Sequence, residues 1–174
     1  MALAQMENGR LSGAAPPADR VTNHSIGIAG IKVVRAPDTV RTVLGSCIGV
    51  ALYDRVAKLG GLAHVILPDS SEGSGDPGKF ADTAVDLLLD ELEQAGAERR
   101  RIAAKIAGGA AMFGEQRTAS LGDRNAEAVE TRLKSHFVRL AGRAIGGTKG
   151  RKMTLDPATG DVAVWIIGEP PQVL

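Results

Sequence analysis

The one cysteine of the chain, Cys47, stands in Gly45-Ser46-Cys47-Ile48-Gly49, and His64 interrupts the apolar run Leu62-Ala63-His64-Val65-Ile66. A thiol beside an imidazole is the minimal equipment for nucleophilic attack on a carbonyl carbon. The ring takes the thiol proton and lowers the thiol pKa toward an ion pair, and the thiolate adds to the carbonyl. Small residues on both sides of Cys47 let a substrate backbone approach. They also leave peptide N–H groups, Cys47's own among them, to hold a developing oxyanion. The competing reading of Cys47 is a buried structural thiol, since free cysteine is among the most buried residue types. An unpartnered buried imidazole is costly, so His64 must either pair structurally or work. His24, at the edge of the N-terminal segment, is expected to be solvated, and His136 to sit at the boundary of a helix.

Two extended runs must bring these groups together. Ile48–Tyr53 and Gly60–Leu67 flank a polar turn over Asp54–Lys58, the pattern of an antiparallel hairpin. With Tyr53 paired to Lys58, Cys47 falls directly opposite His64. Opposed residues have Cβ atoms roughly 4.5–5.5 Å apart, close enough for proton transfer. Gly45, Gly49, Gly60, Gly61, Gly108 and Gly109 are expected to leave room for a substrate helix or loop.

Around the hairpin, Ile26–Val34 reads as a strand with a bend or bulge at Gly27 and Gly30. Thr42-Val43-Leu44 and Ile102–Ile106 read as further strands, and Met153–Leu155 with Val162–Ile167 as a final hairpin. Phe80, Ala84, Leu87, Leu88 and Leu92 recur at helical spacing, which predicts a helix over Phe80–Ala95. A second helix is predicted from about Asn125 to Ala141, with Val129, Leu133, Phe137 and Leu140 on its apolar face and Asp123 or Asn125 as cap. Mixed elements with mostly antiparallel neighbours give an α+β class, a layered sandwich with two main helices. Residues 1–20, aperiodic and containing Ala-Ala-Pro-Pro, read as a mobile tail, leaving 21–174 as one domain.

Composition removes several alternatives. Lys plus Arg number 21 against 20 Asp plus Glu, without the basic excess of a general nucleic-acid binder. One cysteine makes neither an intramolecular disulfide nor a Cys-based zinc site. No His-rich or paired-carboxylate cluster suggests a metal, and the Gly108-Gly109 loop lacks the Gly-x-x-x-x-Gly-Lys of a P-loop. No cofactor or metal is therefore expected. No apolar stretch is long enough to span a membrane, and a cytoplasmic location is expected. Charge is unevenly placed: Arg132–Lys152 holds seven basic residues and no acidic one, while Asp76–Glu98 is strongly acidic. These are either solvated faces or a docking surface for a charged protein.

Several motifs in this order resemble one family. They are Leu44-Gly45-Ser46-Cys47-Ile48-Gly49-Val50, Gly61–Pro68, Gly78-Lys79-Phe80-Ala81-Asp82, Lys105–Phe113, Gly122-Asp123-Arg124-Asn125, Gly146–Lys152 and Thr159-Gly160. Together they resemble the chemoreceptor glutamine deamidases of the CheD family, from Ser25 to the C-terminus. The resemblance implies hydrolysis of selected glutamine side chains to glutamate on methyl-accepting chemotaxis receptors. Cys47 would be the nucleophile, His64 its base, and a thioester the intermediate. It also implies a fold shared with Cys-His deamidating toxins and binding to a CheC-type phosphatase, so a non-catalytic module regulating that phosphatase or the receptor array is the alternative function. The family's third catalytic residue is a Thr shortly before the Cys. Counting without gaps lands on Arg41, with Thr42 one step nearer. Thr42 is the assignment carried forward. A bulge could restore it, Thr39 or Ser46 could serve instead, and Arg41 could contact substrate.

Overall fold

The computed structural model describes residues 21–112 and 120–174. The expected tail over 1–20, and Phe113 at the end of the Gly108-Gly109 loop, lie outside the described residues. In chain order come β1 (Asn23–Ser25), β2 (Ile31–Arg35), β3 (Thr39–Leu44), β4 (Ile48–Asp54), β5 (Leu59–Val65) and α1 (Ala81–Gln94). Then follow β6 (Ala103–Gly108), α2 (Leu121–Ser135), β7 (Arg139–Ile145), β8 (Arg151–Asp156), β9 (Asp161–Ile166) and β10 (Gln172–Val173).

The strands form two five-stranded sheets, one ordered β1-β3-β8-β9-β10 and the other β2-β5-β4-β6-β7. Among the described strands only β1/β3 and β6/β7 pair in parallel, so the α+β layout with mostly antiparallel strands is the one observed. The sheets face each other across a core of Val40, Leu44, Ala51, Leu62, Met153 and Leu155. The second sheet buries its other face under α1 and α2, against Leu88, Leu89, Leu92, Val129 and Leu133. Strands β4 and β5 are therefore buried on both faces, while β3 alternates buried and exposed positions, as a strand with one solvated face must.

Several expectations change. Of the single strand expected over Ile26–Val34 only the part from Ile31 is one, β2; Ile26–Gly30 is the crossover to it from β1, which precedes Ile26 and lies in the other sheet, and the Gly30 N–H closes a turn there on the Gly27 carbonyl at 3.0 Å. The second helix begins earlier and ends sooner than predicted. Ser120 is its cap, in a reciprocal box with Asp123, and Asn125 is buried within it. At its end the Val138 N–H bonds the Leu133 carbonyl and the Phe137 N–H that of Lys134, each at 3.0 Å. This closes a Schellman motif with Phe137 in the left-handed position (φ 57°). Phe137 thus stands 96% exposed instead of on the apolar face, and Leu140 belongs to strand β7.

The glycines also work differently from expectation. A Cβ on Gly49 would lie 2.6 Å from Met153 Sδ, and one on Gly60 2.8 Å from Leu155 Cδ2. Gly61 is filled in the same way by Leu88. These three admit the protein's own core side chains, each fully buried Leu or Met contributing about 1.5–3 kcal/mol.

Candidate active site

The hairpin of β4 and β5 carries both candidate groups, but in a different register from the one expected. Tyr53 pairs with Gly60 and Gly49 with His64, two residues away from the predicted pairing. A two-residue displacement keeps side-chain parity. Cys47, just before β4, packs into the core between the sheets, on the side that His64 also faces, but diagonal to it. No hydrogen bond joins the thiol to the imidazole.

His64 is 3% exposed and reaches across the sandwich to the opposite sheet, where its Nδ1 lies 2.8 Å from Thr42 Oγ1. The alternation of β3 turns Thr42 inward and Arg41 out to solvent, with regular pairing to β8 through both positions. Thr42 therefore reaches the interior without a bulge. Its hydroxyl donates to the Ile26 carbonyl at 3.0 Å. A hydroxyl has one proton, and a carbonyl can only accept. With that proton on Ile26, the close Nδ1 contact requires the imidazole to donate, which leaves the lone pair of neutral His64 on Nε2. Thr39 is elsewhere: its hydroxyl donates to Asn23 Oδ1 of the edge strand β1 at 2.5 Å. Ser46 borders a small cleft formed with Ala110, Met112 and Ser120.

The loop bearing Cys47 is tied down by its neighbour in the second sheet. The Gly109 N–H donates to the Cys47 carbonyl at 2.9 Å, and the Ala110 N–H to the Gly45 carbonyl at 2.9 Å. Gly108, at φ +120°, lies so close that a Cβ there would overlap the Cys47 carbonyl. Beyond it, the Gly146 N–H bonds the Gly108 carbonyl at 3.0 Å and the Ala111 N–H bonds that of Gly147 at 2.9 Å. Arg151, 5% exposed, holds this outer loop by donating to the carbonyls of Ala144 and Gly146, and its Nε–H has no partner among the described residues. Sequence reading missed Arg151 as an organiser; its only signal is its place in the Gly146–Lys152 motif.

Burial sets the protonation states. It pushes the Cys47 thiol above its usual value, partly offset by Cys47's own N–H, and it holds His64 below the usual imidazole value. The resting pair is then a neutral thiol and a neutral imidazole, not the ion pair expected from the sequence. No three His, Cys, Asp or Glu side chains among the described residues cluster as metal ligands. No helix among them is long and apolar enough to cross a membrane.

Comparison with known proteins gives the arrangement a context. A family model described as CheD chemotactic sensory transduction matches residues 66–165, which lie beyond Thr42, Cys47 and His64 in the chain. A protein of Syntrophomonas wolfei named "Probable chemoreceptor glutamine deamidase CheD" is 44% identical over 155 residues, 86% of this chain and 96% of the relative. Proteins of the same name from Clostridium botulinum and Clostridium tetani are 43% and 42% identical, over 84% and 85% of this chain and 94% and 93% of theirs. Among solved structures, Neisseria meningitidis protein NMB0706 matches at 15% identity with a TM-score of 0.43, over 74% of this chain and 63% of its own. Bacillus licheniformis hypothetical protein YfiH matches at 14% identity and 0.39, over 63% of this chain and 47% of its own. The family model spans more than half of the chain and the curated relatives align over nearly their full length: the chain belongs to the CheD family.

Proposed function

We propose that the chain is a cofactor-free glutamine deamidase acting on the cytoplasmic domains of methyl-accepting chemotaxis receptors, with Cys47 as nucleophile, His64 as base and Thr42 as the residue that positions His64. The observation carrying this reading is the Thr42–His64 contact at 2.8 Å, with the Thr42 proton committed to Ile26. It supports a neutral imidazole whose free lone pair lies on Nε2, the form a general base requires.

The chemistry then follows. His64 Nε2 accepts the Cys47 proton as Sγ adds to the glutamine Cδ. Collapse of the tetrahedral adduct breaks the C–N bond, and the His64 proton leaves with ammonia. Water, deprotonated by His64, adds to the thioester, and the thiol departs with its proton restored, leaving glutamate. Because both groups rest neutral, the proton moves during attack rather than before it. The Cys47 N–H, which favours charge on its own sulfur against burial, is the donor proposed for negative charge developing nearby.

The relatives' names carry the substrate assignment, and the cytoplasmic location and a CheC-type phosphatase partner are part of the same proposal. The test is incubation with a receptor cytoplasmic fragment and peptide mass spectrometry. Glutamine-to-glutamate conversion at a few sites is expected with the wild type and none with Cys47→Ala. Equal conversion by both overturns the proposal. A CheC-type phosphatase added to the same assay is expected to bind and change the rate.

A further inference from the structure

His64 is gripped by its backbone as well as by its ring. Its N–H donates to the Gly30 carbonyl and its own carbonyl accepts from the Ala29 N–H, each at 3.0 Å. From Ile31 opposite Ala63 onward β2 and β5 pair one residue against one, but at His64 two residues of the crossover stand against one. That is the count of a β-bulge, which twists the pair locally and re-aims its side chains. Ala29, at φ 60°, holds the left-handed position that such a bulge usually gives to glycine. Thr42, the partner of Nδ1, donates to Ile26 of the same crossover. Every polar atom of His64 except Nε2 is therefore engaged by Ile26–Gly30, directly or through Thr42.

Left to itself, this crossover has a reason to relax. An alanine in the left-handed region is strained because its Cβ crowds the following carbonyl, so the surroundings have to hold it there. Gly78 does so. It is buried, and a Cβ on it would overlap the Ala29 carbonyl oxygen. Gly78 is not itself in the left-handed region, so its backbone does not require glycine; the space taken by Ala29 does.

The turn Pro77–Lys79 that carries Gly78 is anchored in its own right. Asp76 Oδ1 accepts the Gly78 N–H at 2.9 Å. The Lys79 carbonyl accepts the N–H groups of Ile66 and Leu67 at 2.9 and 3.1 Å. The Ala29 carbonyl thus rests against a turn that is tied to the chain just beyond His64.

Resting on the reading of His64 as the base, we infer that Gly78 is a positioning residue for it: by admitting the Ala29 carbonyl, Gly78 holds the bulge that fixes where Nε2 points. This gives the motif Gly78-Lys79-Phe80-Ala81-Asp82 a part in the site that its own residues do not touch. The neighbouring Gly73 differs, since a Cβ there would lie an ordinary 3.8 Å from the Phe80 ring.

The test reads His64 itself in 15N-labelled protein, where the ring nitrogen shifts report tautomer and titration without turnover. His64→Gln assigns its signals among the three histidines. Gly78→Ala is expected to raise the His64 midpoint toward the roughly 6.5 of a free imidazole, because burial holds it low and a loosened ring meets water. The two neutral tautomers are expected to mix. On a receptor fragment, kcat is expected to fall about tenfold or more, with KM within about twofold. Gly73→Ala is expected to change none of these.

Ala29→Gly adopts the left-handed turn without strain and is expected to leave His64 as in the wild type. Combined with Gly78→Ala, it is expected to recover most of the wild-type titration, because glycine can swing its carbonyl aside while its N–H stays on His64. An unchanged His64 spectrum in Gly78→Ala, the same change in Gly73→Ala, or no recovery in the double variant overturns the inference. If Gly78→Ala alone does not fold, rescue of folding and titration by Ala29→Gly supports it, and failure of both to fold overturns it. Absent deamidation by the wild type overturns the deamidase reading alone, since the ring signals stand apart from turnover.

Discussion

Thr42 and His64 belong to different sheets and meet at 2.8 Å in the space between them. The orientation of the proposed base therefore depends on how the two sheets pack, not only on the hairpin that carries His64. Thr42 in turn is fixed from a third direction, by the carbonyl of Ile26 in the crossover from β1 to β2. One hydroxyl thus ties that crossover, strand β3 and the imidazole into a single arrangement.

Thr42→Val removes the hydroxyl at nearly constant volume and leaves both Nδ1 and the Ile26 carbonyl without their buried partner. A loss of about 1–3 kcal/mol is expected from the unsatisfied groups. The deamidation rate is expected to fall about 10–100-fold, because nothing then selects the tautomer with a free Nε2. Thr42→Ser keeps the hydroxyl and should retain most activity. Thermal unfolding with kinetics on a receptor fragment checks both, and a fully active Thr42→Val protein would contradict the positioning role.

Burial raises Cys47 and lowers His64, so both are uncharged near neutral pH. His64 accepts a proton only when neutral, so the acid limb of kcat/KM is expected below the roughly 6.5 of a free imidazole. Alkylation of Cys47 is expected to rise only above the roughly 8.5 of a free thiol. Stability follows the same shifts. As pH falls below the unfolded imidazole value, the unfolded chain gains a proton that folded His64 refuses, and stability drops. As pH rises past the unfolded thiol value, the unfolded chain loses a proton that folded Cys47 keeps, and stability drops again. Iodoacetamide kinetics and a pH–rate profile test this. An alkylation midpoint below that of a free thiol would point to a preformed ion pair.

How much of this was legible depends on the element. Helix α1 could be read from leucine spacing because one face meets the second sheet and the other meets water. The hairpin could be recognised, but not its register: β4 and β5 are buried on both faces, so no alternation pins which residue opposes which. A glycine-interrupted apolar run looks the same whether the chain bulges or changes sheets, which hid the break between β1 and β2. The end of α2 was hidden because a phenylalanine occupies the left-handed position usually marked by glycine. The cysteine and histidine stood out by type alone, whereas the threonine's inward face depended on the two-sheet packing.

Gly108 and Gly49 separate two kinds of crowding beside the nucleophile loop. Gly108→Ala sets a methyl group against the Cys47 carbonyl at a left-handed φ, where neither backbone can yield. It is expected to cost roughly 1–3 kcal/mol and to lower kcat about tenfold or more by shifting Cys47. Gly49→Ala meets the ends of Met153 and Leu44, which can change rotamer, so activity should fall less than stability. Urea unfolding and single-turnover kinetics distinguish them. Equal catalytic losses would show that the Gly108 contact has no special part in placing the loop.

Asp54 provides the opposite case, a buried charge at the far end of β4, roughly 20 Å of strand from Cys47. Its side chain is wholly buried. It accepts from the N–H groups of Val56, Ala57 and Glu98 at 3.0, 3.1 and 3.0 Å and from the Arg101 guanidinium. Burial alone would raise its pKa, but Arg101 and these N–H donors prevail and hold it down at about 2. The stabilisation is present above the unfolded carboxyl value and is lost as pH falls toward 2; the shift amounts to roughly 2 kcal/mol. Asp54→Ala leaves Arg101 and three N–H groups short of an acceptor, and is expected to cost about 3–5 kcal/mol. Because neither the Thr42–His64 contact nor the Gly109–Cys47 bond passes through this turn, kcat measured well below the lowered Tm should stay within about twofold of wild type. If the folded variant lost activity while keeping the wild-type Cys47 alkylation rate, the hairpin would have to transmit strain along its length, and the site would not be held mainly by its own loops.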